Sequence, residues 1–146
     1  MAEEHGPASP TGMPVTTGIR PVTDDRDTAG FFAAAGRGVL VIRRCNSCEA
    51  AIHLPVPRCP HCQSDDGRWE PAGATGTLYS WTVADHQVHP AFPVPYTIIL
   101  VELDDLPGVR VCGRLDGAPD IRVGQPVRVR FDPVGEGAGL PNWELL

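Results

Sequence analysis

The sequence predicts a mostly β chain with one short N-terminal helix, a compact four-cysteine module and a five-stranded barrel, on three observations. Four cysteines form two Cys-x-x-Cys pairs, Cys45/Cys48 and Cys59/Cys62, separated by ten residues. Downstream of Gly76, short runs alternate apolar and polar side chains and are divided by Gly, Pro and Asp. Upstream, only Ala29–Ala35 reads as helix.

Residues 1–22 carry Pro7, Pro10, Pro14 and Pro21 with scattered Gly, Ser and Thr and no apolar period. Such a stretch buries too little surface to offset its chain entropy, so a disordered or partner-draped arm is expected there. Residues 23–44 form the next unit. Asp27 or Thr28 can cap a helix over Ala29–Ala35, with Phe31 and Phe32 as apolar anchors, and Gly36 and Gly38 stop it. Val39-Leu40-Val41-Ile42 is β-branched and reads as a strand leading into the cysteines.

The cysteine segment occupies residues 45–70, and Pro71, Gly73 and Gly76 mark the boundary to residues 71–146. There Thr77–Val83 alternates, with Leu78, Ser80 and Thr82 on one face and Tyr79, Trp81 and Val83 on the other. Tyr96–Leu103 is apolar on both faces, as a central strand would be. Val109–Leu115 and Val127–Asp132 alternate again, and Leu140–Leu146 can close the sheet. Five strands without a long helix fit a small closed barrel such as an OB-fold.

Composition narrows the function. The chain has 146 residues, enough for one compact domain or two very small ones. No apolar run approaches the roughly 20 residues that cross a bilayer, so no membrane association is expected. The N-terminus has Glu3 and Glu4 and no apolar h-region, which points to a cytoplasmic protein whose paired cysteines serve metal or redox chemistry. Net charge is −6, which disfavours nucleic acid, since phosphate-backbone binding needs an excess of cations. Every basic residue is Arg, in a chain rich in Ala, Gly, Pro and Val, and high-GC codon usage accounts for both.

Two Cys-x-x-Cys knuckles supply four thiolates in a tetrahedron, which suits zinc. Four protein ligands leave no place for water, so such a zinc is structural rather than catalytic. Iron takes the same ligand set, and His53 or His61 could replace one sulfur. Cys59-Pro60-His61-Cys62 also looks like a thiol-oxidant tetrapeptide, but without the surrounding βαβ pattern.

Outside the cysteines the signals are weaker. Cys112 reads as a small buried core residue. His86 and His89, with Asp85, lie in the long loop Asp85–Pro95 and are the only acid–base candidates. Arg43 and Arg44 beside the first knuckle could meet a phosphate or a partner's carboxylate. Tyr79, Trp81 and Tyr96 could stack on bases, although aromatic residues at alternate strand positions are more often core.

The order of these parts resembles a known family. Phe31-Phe32, then Gly38-Val39-Leu40 running into Cys45-x2-Cys48, is similar to its N-terminal hook. His53-Leu54-Pro55 and Pro57-Arg58-Cys59-Pro60-x-Cys62 resemble its ribbon. Gly76–Val83, Pro95-Tyr96 through Leu103, Gly113-Arg114-Leu115 and Ile121–Val127 resemble its barrel strands. This is the acyl-CoA-associated OB-fold family with a rubredoxin-like zinc ribbon, long filed as domain of unknown function thirty-five, and the resemblance covers residues 24–146.

It implies a thiolase-like partner of the lipid-transfer-protein type, with this chain as supporting subunit of an acyl-CoA aldolase that cleaves a steroid side chain. It also implies a structural zinc, an acyl-CoA substrate for the complex and two supporting chains around a partner dimer, a heterotetramer. Phe31, Phe32, Arg43 and Arg44 then become the expected partner interface. Asp85, His86, His89, Phe92 and Tyr96 become the expected substrate-channel loop, with His86 and His89 as speculative contributors to chemistry. The chain alone is not expected to be catalytic. Two other readings stand beside this one: a stand-alone acyl-CoA-binding module and a nucleic-acid-binding OB protein.

Overall fold

A computed structural model describes residues 20–146. The expected arm over residues 1–22 lies outside the described residues except for its last three. One helix, α1 (Ala29–Gly36), precedes eight strands: β1 (Val41–Cys45), β2 (Ala51–Ile52), β3 (Gly67–Pro71), β4 (Thr75–Ala84), β5 (Tyr96–Leu103), β6 (Arg110–Asp116), β7 (Pro126–Gly135) and β8 (Ala138–Leu145). Two antiparallel sheets result, a small one in the order β2-β1-β3 and a five-stranded one in the order β6-β5-β4-β7-β8.

Thr28 is the N-cap of α1 but makes no side-chain capping bond, and Asp25 does that work instead. Its carbonyl accepts from the Ala29 N–H at 2.8 Å and its carboxylate from the Asp27 N–H at 2.8 Å. At the other end Gly38 takes φ +75, and Val39 N–H turns back to Ala34 O at 3.0 Å. That closing bond draws Val39 out of the expected Val39–Ile42 strand, so β1 begins at Val41 and runs into the first cysteine.

Leu40 and Ile42 belong to the barrel core, with Leu78, Ile99, Val101, Leu103, Val111, Val127 and Trp143. Phe31 packs against that core from α1. The helix also lies flat on the β7–β8 hairpin. A Cβ added at Gly139 would stand 2.6 Å from Ala35 O, and one at Gly36 would strike the Gly137 carbonyl. Only glycine permits this approach.

The barrel closes between β6 and β8 without a ladder. Buried Asn142 bridges the seam instead: its Oδ1 accepts from Arg114 N–H at 2.8 Å and its Nδ2 donates to Asp132 Oδ2 at 2.6 Å. Gly113 lies directly beneath the Trp143 indole, where any side chain would collide.

Three expectations are corrected. Tyr79 and Trp81, expected in the core, are exposed, and so is Val83. A bulge between Leu78 and Ser80 shifts the register, and β7 pairs with β4 only from Thr75 to Thr77, so among the described residues no second strand flanks β4 beyond that point. Cys112, expected to be buried, is exposed, because Val111 and Leu115 take the inward positions of β6. In β5, Thr97, Ile99, Val101 and Leu103 are buried while Ile98 is exposed, so this internal strand is covered on one face rather than two.

Candidate metal centre

The four cysteines come from two turns that repeat the same geometry. In the first, Glu49 N–H donates to Cys45 O at 3.0 Å; in the second, Gln63 N–H donates to Cys59 O at 2.9 Å. Each donor immediately follows the second cysteine of its pair, and each has positive φ, 61 for Glu49 and 65 for Gln63. A non-glycine residue there is strained, which indicates that the surrounding structure fixes the turn.

All four sulfurs lie within 4.8 Å of one another. Cys45 and Cys62 Sγ are 3.6 Å apart, as are Cys48 and Cys59 Sγ. That is far beyond a disulfide, where sulfurs sit roughly 2 Å apart. A regular tetrahedron with Zn–S bonds of about 2.3 Å has edges of about 3.8 Å. The sulfur cage therefore fits zinc. Cys45 and Cys59 are buried beneath the knuckles, Cys48 and Cys62 face outward, and no open coordination position remains for a substrate.

The thiols titrate as sulfurs sharing one small space. Backbone N–H of Cys48, then of Ser47, holds Cys45 down at about 6 against the opposing effect of burial. Ala50 N–H draws Cys48 down, but burial and hydrogen bonds to the Cys62, Cys59 and Cys45 thiols outweigh it and push Cys48 up to about 12. One thiolate forms easily and the next resists, as expected where like charges crowd. A dication would remove that resistance and hold all four as thiolates.

Around the cage the small sheet is braced by ions rather than by an apolar core. Arg44 Nε meets Glu70 at 2.9 Å and its Nη1 reaches Glu49 O at 2.8 Å. Arg68 holds Glu49 at 2.7 Å, which keeps the Glu49 carboxyl below its usual range. Arg43 stands 5.9 Å over the Trp69 ring and donates to Asp65 O at 3.2 Å. The two arginines expected at a partner interface are half-buried and also brace the ribbon from within.

Phe31 and Phe32 are half-buried and meet edge to face at 5.5 Å, and Phe31 continues to the His53 ring at 5.6 Å. His53 Nδ1 is buried without a hydrogen-bond partner among the described residues, and burial holds its pKa below the ordinary value. Gly30 abuts Trp69, where a side chain would collide with the indole.

In the loop Asp85–Pro95, Asp85, His86 and His89 are exposed, while Phe92 and Tyr96 are half-buried. His89 Nδ1 accepts from Ala91 N–H at 3.1 Å, and the rings of His89, Phe92 and Tyr96 follow one another at 6.3 and 6.5 Å. The loop is organised around this aromatic line, and among the described residues no hydrogen bond joins Asp85 to either histidine.

Residues 32–66 match the family model described as the rubredoxin-like zinc ribbon domain of ChsH2, and residues 69–132 match its C-terminal OB-fold domain. The first chain of similar fold is from a solved structure called the Ltp2-ChsH2(DUF35) aldolase. It is 40% identical with a TM-score of 0.74, over 86% of this chain and 98% of that one. The chain belongs to the ChsH2 (DUF35) family.

A DUF35-family protein of unknown function from Sulfolobus solfataricus shares the fold at 12% identity and a TM-score of 0.52, over 75% of this chain and 80% of that one. Two curated proteins are also similar. The probable enoyl-CoA hydratase alpha subunit of Thermomonospora curvata is 48% identical over 105 residues, 70% of this chain and 32% of that protein. The 3-oxo-4,17-pregnadiene-20-carboxyl-CoA hydratase alpha subunit of Mycobacterium tuberculosis is 33% identical over 129 residues, 87% of this chain and 38% of that protein. The chain thus spans about a third of the length of the curated relatives it matches.

Among the described residues no helix is long and apolar enough to cross a membrane. The sequence missed the two positive-φ residues behind the knuckles and the Asn142 bridge. None of these leaves a composition signal, because each depends on backbone geometry or a distant partner.

Proposed function

We propose that this chain is the supporting subunit of a thiolase-like acyl-CoA aldolase, stabilising the catalytic partner and shaping its substrate channel. The observation that carries this is the match to one chain of the Ltp2-ChsH2(DUF35) aldolase over nearly the whole of that chain. The closed sulfur cage is consistent with it, since its zinc would hold the ribbon and take no part in chemistry.

The reaction would be a retro-aldol cleavage of a β-hydroxyacyl-CoA with a steroid or similar side chain. A base on the partner would take the hydroxyl proton, the bond between the α and β carbons would break, and the thioester enolate would leave into an oxyanion hole before protonation. The hydratase names of the two curated relatives are chemically consistent with this, because hydration of an enoyl-CoA places the hydroxyl on the β carbon. They also support a second reading, in which this fold serves a hydratase.

In the aldolase reading the Phe31–Phe32 face meets the partner dimer, one chain on each partner protomer to make a heterotetramer. Arg43 and Arg44 contribute by bracing the ribbon beside that face. The loop carrying Asp85, His86, His89, Phe92 and Tyr96 stands at the mouth of the partner's site, in a cytoplasmic enzyme.

The test is co-expression with a thiolase-like protein of the lipid-transfer-protein type, measuring mass, zinc content, aldol cleavage and hydration on the purified product. A zinc-loaded complex that cleaves supports the aldolase reading, and one that only hydrates supports the second. A monomer that ignores the partner refutes the aldolase reading and turns attention to the hydratase reading and to acyl-CoA binding by this chain alone. Replacing Phe31 and Phe32 by Ala should reduce co-purification at least about tenfold; undiminished recovery would remove the helix from the interface.

A further inference from the structure

Strand β4 has two edges with different fates. One pairs with β5 from Gly76 to Ala84. The other pairs with β7 only from Thr75 to Thr77, followed by a two-bond exchange in which Leu78 N–H meets Gln125 O and Gly124 N–H meets Leu78 O, both at 2.9 Å. From Tyr79 to Ala84 that second edge has no backbone partner among the described residues.

This stretch, Tyr79-Ser80-Trp81-Thr82-Val83-Ala84, has no charged residue in a chain of net charge −6. Trp81 and Val83 lie opposite the buried Ile99 and Thr97, on the core side of the sheet, yet are 39% and 42% exposed. Proteins guard an open edge with Lys, Pro, a bulge or a covering element. Here the guard is a single bulge at the beginning of the stretch.

Resting on the aldolase reading above, we propose that this edge receives an extended segment of the thiolase-like partner as an added strand. Unpaired backbone N–H and C=O groups along a strand are satisfied by another strand. The absence of charge favours an uncharged segment whose apolar side chains cover Trp81 and Val83. The edge also runs at Ala84 straight into the loop proposed to stand at the partner's active-site mouth, so strand and loop make one continuous surface. Six residues fall short of the roughly 20–30 a side in a stable interface, so the edge is one anchor within a larger contact.

Hydrogen exchange read by mass spectrometry on the full chain, free and in the purified complex, tests this. The amides of residues 79–84 that face the open edge should exchange at least about tenfold more slowly in the complex. Replacing Trp81 and Val83 together by Lys should weaken the complex at least about tenfold, while Ile98→Lys, exposed on the opposite face of the sheet, should leave it unchanged. Both substituted side chains are exposed, and retained protection of the Leu103 amide, bonded to Val109 O in the barrel, would verify folding.

Unchanged exchange at 79–84 overturns the proposal. So does an edge already protected in the free chain, whether by a second copy (seen as a dimer by mass) or by the chain's own residues 1–19 (seen when their deletion removes the protection). If the wild-type chain binds no partner, the aldolase reading falls as well. If the Lys variant binds as the wild type does, only the edge assignment falls.

Discussion

Removing the metal should unfold the ribbon and leave the barrel standing. The buried cluster of the ribbon consists of Cys45, Ile52 and Cys59, with Ala50 packed beside it. Ile52 is its one large aliphatic side chain, worth roughly 1.5–3 kcal/mol when buried. Ordering the chain between the flanking strands, about 20 residues at about 1 kcal/mol each, costs far more. Salt bridges such as Arg68–Glu49 are largely exposed and add little. A structural zinc contributes about 10–16 kcal/mol of apparent binding energy, which accounts for most of the difference.

The barrel has an independent source of stability, because Leu40 and Ile42 from the approach to the ribbon already belong to its core. The assay is hydrogen exchange on the reduced chain before and after chelation. Amides of Asn46, Glu49, Cys59 and Gln63, bonded in the ribbon turns, should lose protection, whereas Leu103, bonded to Val109 in the barrel, should keep it. Cys48→Ser should act in the same direction. The reasoning is refuted if those turn amides stay protected without metal, or if the barrel opens in step with the ribbon.

Two further outcomes follow from buried polar groups. Asn142→Leu leaves the Arg114 N–H and the Asp132 carboxylate without their partner and should cost about 2–4 kcal/mol in denaturant unfolding; a loss under about 1 kcal/mol would show that the seam closes without it. His53 is held below its ordinary pKa by burial, so the unfolded chain binds the proton more readily. Stability of the zinc-loaded chain should therefore be full above about pH 6.5 and fall as pH drops through the folded value. Denaturant midpoints at several pH values should show a shallower acid loss in His53→Leu, and identical slopes would clear His53 of the effect.

What the sequence made legible follows from how local each cause is. The cysteine pairs were readable because the spacing within each knuckle fixes the distance between its sulfurs. The barrel strands were readable because alternation is a property of one strand at a time. Strand β3 was not, since Gly67-Arg68-Trp69-Glu70-Pro71 contains no β-branched residue. Five register pairs with β1 and the Arg44–Glu70 bond make it a strand. Tyr79, Trp81 and Val83 show the same limit on the functional side. Their alternation was plain, but whether a layer lies over them depends on where β7 leaves β4, which local sequence does not encode.

The route from zinc to the proposed partner face runs through contacts rather than through chemistry. The sulfur cage fixes the two knuckles, and the knuckles fix β3, which begins at Gly67 beside Cys45. Strand β3 carries Trp69, whose indole fills the space against Gly30 of α1. The next two residues of that helix are Phe31 and Phe32, and His53 of the ribbon closes on Phe31 from the other side. Two of the supports of this aromatic face therefore belong to the ribbon, and a third belongs to the barrel through Gly36 and Gly139. Loss of metal would free the first two and leave the third. The helix would stay tethered to a folded barrel, with Phe31 still against its core, while the Trp69 and His53 side of the aromatic face lost its support. In the proposed complex, a metal held by four protein sulfurs would in this way govern assembly and stay outside the reaction.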